Sequence, residues 1–221
     1  MRCTQTLSVA AFLAASLATA CAGAGSIGVD LCPVGSLSPS DTATSLPATL
    51  TNSPVGSTFY LEVWTTDEVI PPLGVASGFL DIAYNSAKVN ATALSNGSTY
   101  TTLDSGSIDN TAGTILDLGG DALGVGTPGK NDWARLGWIE YTSTTPGSVT
   151  FTPEPSTLDV FSRYSAGSVP WTQVDAPTAS ITVTPTPEPS SFVLLAAGAV
   201  GAAAVVFLKR RRNRVSVRGG L

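Results

Sequence analysis

The sequence predicts an all-β protein, a two-sheet β-sandwich framed by two export segments. Three observations carry that expectation. Between residues 25 and 186 Thr, Ser, Val, Gly and Pro are abundant while Lys and Glu are scarce, a composition that favours strands and turns. No stretch there sustains an apolar period of 3.6 residues, and short runs of apolar–polar alternation recur instead between Gly, Asn, Asp and Pro. A chain of roughly 160 residues buries about two thirds of its unfolded surface, enough for one core.

At the N-terminus Arg2 precedes an apolar stretch over 7–17, followed by Ala18-Thr19-Ala20 and Ala22-Gly23-Ala24. That charged, apolar, small-residue order is the order of a secretory signal peptide, assigned to 1–24. Cys21 behind Ala20 leaves a lipoprotein cleavage site open, although the expected leucine stands one position too far back, at Leu17. Cleavage after Ala20 leaves Cys21 and Cys32 able to close a small disulfide loop, whereas cleavage after Ala24 leaves Cys32 unpaired. Residues 25–57, rich in Pro, Ser and Thr from 33 onward, read as an extended lead-in with at most one short strand. The packed domain, 58–184, is expected to start near Ser57.

Eight strands are expected within it, over 58–66, 77–84, 88–94, 111–118, 134–141, 147–152, 157–161 and 179–184. The first places Phe59, Leu61, Val63 and Thr65 on one face and Tyr60, Glu62 and Trp64 on the other. The second sets Phe79 opposite Leu80, Ile82 and Tyr84. The glycines of 119–126 read as a mobile loop, since the stretch lacks the GK[ST] ending of a phosphate cradle. Pro153-Glu154-Pro155-Ser156 reads as a loop too.

Pro187-Glu188-Pro189-Ser190 leads into an uncharged run over 192–208, which stops at Lys209-Arg210-Arg211-Arg212. A 17-residue helix rises about 25 Å, just short of a ~30 Å hydrocarbon core, so a transmembrane helix over 190–208 spans if its flanks snorkel. The basic tail, 209–221, favours the cytoplasmic side and leaves the domain outside.

The Pro-Glu-Pro motif, the apolar helix and the arginine-rich end, in that order, resemble the PEP-CTERM sorting signal of bacteria that make exopolysaccharide, here over 185–221. The resemblance implies that exosortase, a membrane-embedded cysteine-dependent processing enzyme, reads Pro187, Glu188 and Pro189 and removes the helix. The sorting residues Pro187, Glu188, Pro189, Ser190, Lys209, Arg210, Arg211 and Arg212 are then substrate rather than catalytic. An uncleaved tail anchor is the alternative. The copy at 153–156 has no apolar run behind it.

The order of strands resembles the cohesin and carbohydrate-binding-module type of jelly roll. It rests on the strand from Phe59 to Val63, on Phe79-Leu80-Asp81-Ile82-Ala83-Tyr84 with its following turn, and on paired strands joined by Thr145-Pro146-Gly147-Ser148. Asn85 and Ser86 stand where that group usually has Asp and Pro. The resemblance implies a binding or structural module, since cohesins bind dockerin domains and related sandwiches bind polysaccharide. Tyr60, Trp64, Trp133, Trp138 and Trp171 are the candidates for stacking on sugar rings, with Trp138 and Trp64 expected to pack in the core and Trp133 and Trp171, beside polar turns, left as the ligand-binding candidates.

Charge and residue content exclude several classes. Seven of the eleven basic residues lie in the terminal segments, so 25–186 holds fifteen acids against Lys88, Lys130, Arg135 and Arg163, a net charge of −11. Such a surface repels phosphate backbones and argues against nucleic acid. The chain contains no histidine, which removes the usual general base and the commonest metal ligand. Asp117, Asp121, Asp132 and Glu140 cluster in sequence but read as solvated surface rather than a glycosidase pair. Asp104 and Asp109 lack the spacing of a Ca²⁺ loop. The expectation is a non-enzymatic, cofactor-free, exported cell-envelope or extracellular-matrix protein, with an exosortase-like enzyme and the membrane as partners. The alternative is a module specific for polysaccharide or a dockerin-like domain.

Overall fold

A computed structural model describes residues 27–123, 126–157 and 161–186. The signal peptide, the expected transmembrane segment and the sorting residues from Pro187 onward lie outside the described residues.

In chain order the strands are β1 (Ile27–Val34), β2 (Thr42–Ala43), β3 (Asn52–Pro54), β4 (Thr58–Asp67), β5 (Val75–Ala83), β6 (Val89–Asn96) and β7 (Thr102–Asp109). They continue as β8 (Thr114–Asp121), β9 (Trp133–Ser143), β10 (Gly147–Pro155), β11 (Phe161–Arg163), β12 (Gly167–Val169), β13 (Val174–Asp175) and β14 (Ala179–Thr184). One sheet has the order β13-β1-β4-β9-β2, with β6 also on β9; the other runs β12-β11-β5-β10-β14-β3, with β8 on β5 and β7 on β8. The expected all-β, two-sheet architecture is present.

Alternation builds the core as the sequence indicates. Phe59, Leu61 and Val63 of β4 point between the sheets, where they meet Leu80 and Ile82 of β5, Ile115 and Leu118 of β8, and Phe151 of β10, all fully buried. Tyr141 anchors the middle, with its ring 5.5 Å from Phe59 and 5.1 Å from Phe151. Edge and offset contacts between such rings add to the area they bury.

Three expectations are corrected. The domain starts at Ile27 rather than near Ser57, because β1 pairs with β4 along its whole length, from Ile27↔Asp67 to Val34↔Tyr60. Ile27, Val29 and Leu31 alternate inward and are buried. Pro33 is tolerated because its carbonyl turns away from β4 to accept the Leu50 N–H at 2.7 Å, which puts the missing proline N–H on that same outer side. The second correction concerns 153–156: Pro153, Glu154 and Pro155 are not a loop but the far half of β10, opposite Ile82, Asp81 and Leu80. The third concerns Gly119 and Gly120, which end β8 rather than belonging to a loop. A Cβ at Gly119 would run into the Gly78 carbonyl, and one at Gly120 into the Tyr100 carbonyl, so close backbone approach explains both.

Candidate functional site

The outer face of the first sheet divides into a covered half and an open half. On the covered half the segment 35–50 folds back across β1, β4 and β9. Cys32, Val34 and Trp64 form a second small core beneath it, with Leu46, Ala43, Tyr60 and Trp133 packed against them. Glu62 has no exposed surface. Its carboxylate accepts hydrogen bonds from the Ser38 N–H at 2.5 Å, the Ser38 hydroxyl at 2.7 Å, Trp64 Nε1 at 3.1 Å and Arg135 Nη1 at 2.7 Å. Arg135 also pairs with Asp41 and lies 5.7 Å from the centre of the Trp64 ring. Burial pushes the Asp41 carboxyl up, but hydrogen bonds from Ser98 and the Arg135 charge outweigh it and hold it below the usual carboxylate range. This network fastens the covering segment to the sheet and leaves no room for a ligand. Cys32 is free and buried, and burial, with the Asp30 and Glu62 charges, pushes its thiol up to about 12.

The open half presents a different surface. Tyr60 and Trp138, half-buried neighbours on β4 and β9, meet edge to face at 5.9 Å. The Tyr60 hydroxyl lies near Glu140, and its ionisation is pushed up by burial and by that carboxylate. Thr92 donates to Glu140 Oε1 at 2.7 Å. Two aromatic rings in a sheet face, flanked by a carboxylate and hydroxyls, form a surface that can stack on a ligand and hydrogen-bond its edges. The sequence assigns Trp138 to packing, and by alternation it shares the phase of Ala134 and Leu136; the bulge in the β4–β9 pair shifts that phase, turning Ile139 and Tyr141 inward and Trp138 outward.

The two tryptophans singled out by the sequence do not share a face. Trp133 packs against the covered cluster, and Trp171, in the 3-10 turn Trp171–Gln173, packs against the main core 6.4 Å from the Phe161 ring. The four carboxylates close in sequence are also separated. Asp117 and Asp121 lie on β8, Asp132 precedes β9, and Glu140 lies on β9 in the other sheet. Asp117 has φ of 54°, gives its N–H to Asp81 at 2.7 Å and accepts the Ser156 hydroxyl. Burial pushes the Asp81 carboxyl up, and although the Asp117 N–H works against this, the Asp117 charge adds to it. Asp109 caps its own turn, accepting the Thr111 and Ala112 N–H groups at 2.9 Å each. Among the described residues no group of three or more His, Cys, Asp or Glu could hold a metal ion. A shallow cleft of about 230 Å³ between β6 and β7, lined by Leu94, Ser95, Asn96, Ser105 and Gly106, contains no acid or base.

The chain leaves the sandwich along β14. This strand runs parallel to β3, and Thr184 lies opposite Pro54. The Thr186 hydroxyl donates to the Val55 carbonyl at 2.9 Å, so the chain is held up to the residue before Pro187. Residues 185–212 match the family model of the PEP-CTERM protein-sorting motif. The chain carries a PEP-CTERM sorting motif. No curated protein matches the chain. Solved structures that share its fold are cohesin modules. The seventh ScaB type I cohesin from Pseudobacteroides cellulosolvens is 16% identical with a TM-score of 0.52, over 75% of this chain and 96% of its own. The structure of the OlpA type I cohesin–dockerin complex from Clostridium thermocellum matches at 13% identity and a TM-score of 0.52, over 72% and 99% of the two chains. That of the corresponding OlpC complex matches at 12% and 0.50, over 73% and 95%. At such identities the likeness is one of fold. Among the described residues no helix is long and apolar enough to cross a membrane.

Proposed function

We propose that this PEP-CTERM protein is exported, held in the membrane by 190–208 until an exosortase-like enzyme reads Pro187-Glu188-Pro189, and then displayed or released as a non-catalytic cohesin-like module for structural or adhesive interaction. The observation that carries the reading is the junction itself. A sorting motif begins where a cohesin-type sandwich ends, with Thr186 still bonded to Val55. Ser190 and the basic residues Lys209, Arg210, Arg211 and Arg212 complete the signal by positioning the motif and orienting the helix. The absence of histidine, the dispersal of the carboxylates and the net charge of −11 over 25–186 support a binding role without catalysis, cofactor or nucleic acid.

A second reading, polysaccharide binding, is favoured by one observation, the edge-to-face pair Tyr60 and Trp138 on the open half of the first sheet. We assign any stacking to that pair rather than to Trp133 and Trp171. The dockerins that accompany the OlpA and OlpC cohesins make a partner domain the other candidate ligand.

The test is membrane fractionation in the native host with a tag placed before residue 185. Glu188→Ala is expected to leave full-length protein accumulating in the membrane, because the charged contact in the extended motif is gone. Glu154→Ala, in the copy paired within β10, is expected to be released like wild type. Equal release of wild type and Glu188→Ala would reject sorting in favour of a plain tail anchor.

A further inference from the structure

The junction between sandwich and motif has no slack. The Val55 N–H donates to the Thr184 carbonyl at 2.9 Å, and Thr186 is bonded back to Val55 at 2.9 Å. Pro187 follows directly. Three residues extended reach at most about 10 Å, so any site that grips 187–189 comes within contact distance of the end of the domain. That end consists of four turns, 54–57, 85–88, 110–113 and 144–147, with 110–113 held beside 85–88 by the Tyr84 N–H on the Gly113 carbonyl at 2.8 Å. They are fixed to one another by Gly56 N–H to Ser143 at 2.8 Å and by Thr144 N–H to Lys88 at 2.8 Å.

This end differs in charge from the rest of the domain. Its turns carry two charged side chains, both bonded within the end: Lys88 gives its ammonium to the Pro146 carbonyl at 2.7 Å, and Asp109, where β7 enters the 110–113 turn, accepts the Thr111 and Ala112 N–H groups at 2.9 Å each. The opposite end gathers Asp30, Asp67, Glu68, Asp121, Asp132 and Asp175 against Lys130 and Arg163. Ile27 opposite Asp67, Gly28 opposite Asp175 and Ser77 opposite Asp121 place these acids there. A strongly acidic domain thus keeps its net charge away from the point at which its chain is read. An end of small residues, ordered by backbone hydrogen bonds and with its two charges already bonded within it, loses little on being covered, whereas an unpaired charge there would have to be desolvated.

We infer that the charge-poor end formed by the turns 54–57, 85–88, 110–113 and 144–147 is a docking surface for the membrane-embedded enzyme that reads Pro187-Glu188-Pro189. The inference rests on the sorting reading above. Recognition then includes the folded domain as well as the tripeptide, and the sandwich positions its own motif.

The test uses the full chain in the native host and measures the released fraction. Ala87→Glu with Thr145→Glu puts two acids on exposed positions of this end, and Ile70→Glu with Leu123→Glu puts two on the far end, where those side chains are 94% and 63% exposed. Protease resistance of the sandwich is checked for both, and Thr145→Glu alone serves as the milder variant. The exit-end pair is expected to lower release roughly tenfold, the single change less, and the far-end pair not at all. A flexible Gly/Ser spacer of about ten residues between Thr186 and Pro187 is expected to restore release of the exit-end pair, because the enzyme then no longer meets the domain. Wild-type release of the folded exit-end pair, an equal loss in the far-end pair, or failure of the spacer to restore release would overturn the inference. Glu188→Ala runs alongside. If it is retained while the exit-end pair is released normally, only the docking surface fails; if it is released like wild type, the sorting reading fails first.

Discussion

Glu62 and Arg135 show how much a single pair of side chains decides on the outer face of the first sheet. An ionised carboxylate without exposed surface is tolerable only when all its acceptor positions are filled, and here Ser38, Trp64 and Arg135 fill them. Arg135→Ala removes the one counter-charge and leaves Glu62 buried and unpaired. We expect a loss of about 3–5 kcal/mol in urea unfolding, with Trp64 reporting the opening of the covering segment. Replacing both charges, with Glu62→Leu and Arg135→Met, removes the buried Glu62 charge but still leaves Asp41 without Arg135 and the Ser38 N–H and Trp64 Nε1 without their acceptor, so it should recover only part of that loss. A double variant as unstable as Arg135→Ala alone would show that the lost Asp41 pairing and orphaned donors outweigh the relief of the Glu62 charge. In the sequence Glu62 looks like an ordinary outward-facing strand residue. Its burial depends on Ser38 and Arg135, 24 and 73 positions away, and no local period reports such a partnership.

At the scale of the element, β1 decides whether the fold exists. A fragment beginning at Ser57 lacks Ile27, Val29 and Leu31 from the core, at about 2 kcal/mol each, and lacks the lid over Trp64. It also leaves β4 as a bare edge along the eight residues from Tyr60 to Asp67. The sum is comparable with the whole net stability of a domain, about 5–15 kcal/mol. We expect this fragment to aggregate, and a fragment over 25–186 to give a β-rich circular dichroism spectrum and a monomer on size exclusion. A folded, monomeric fragment from Ser57 would refute the role given to β1. The same strand explains which elements were legible in the sequence. A run such as 58–63 alternates without interruption and lies behind a clear turn, so period alone finds it and its inner face, whereas 134–141 changes phase at a bulge, with Ala134 and Leu136 in the core before it and Ile139 and Tyr141 after it. β1 alternates as well, but Gly28, Asp30 and Pro33 dilute the pattern and the Pro- and Ser-rich stretch behind it reads as linker. The short β2, β3, β12 and β13 are only two or three residues each. They are strands because a neighbour offers them an edge, which is tertiary information. The Tyr60 and Trp138 surface was half legible for that reason: the phase of β4 at Tyr60 is in the sequence, whereas the bulge that turns Trp138 outward and the boundary of the covering segment are not.

At the scale of the whole molecule, the two ends of the sandwich bear on what can be anchored. The ten residues of β4 span about 33 Å, with Ile27 beside Asp67 at one end and the chain exit beside Pro54 at the other. Cys21 stands six residues before Ile27 and reaches about 21 Å from it when fully extended. The three residues from Pro187 to Pro189 reach at most about 10 Å, so an inserted helix over 190–208 keeps the exit end close to the bilayer. A diacylated Cys21 therefore cannot enter the same membrane while the domain stands on its exit end. Only a domain laid on its side would satisfy both anchors, and that posture would press the acidic end against anionic headgroups. We therefore expect cleavage of an ordinary signal peptide and no lipid at Cys21. Mass measurement should find a mature N-terminus between residues 21 and 25 without acyl groups, and Cys21→Ser should leave both membrane retention and release unchanged. A diacyl mass on Cys21, or loss of retention in Cys21→Ser, would lay the domain on its side and turn the charge-poor exit end away from the enzyme that is proposed to meet it.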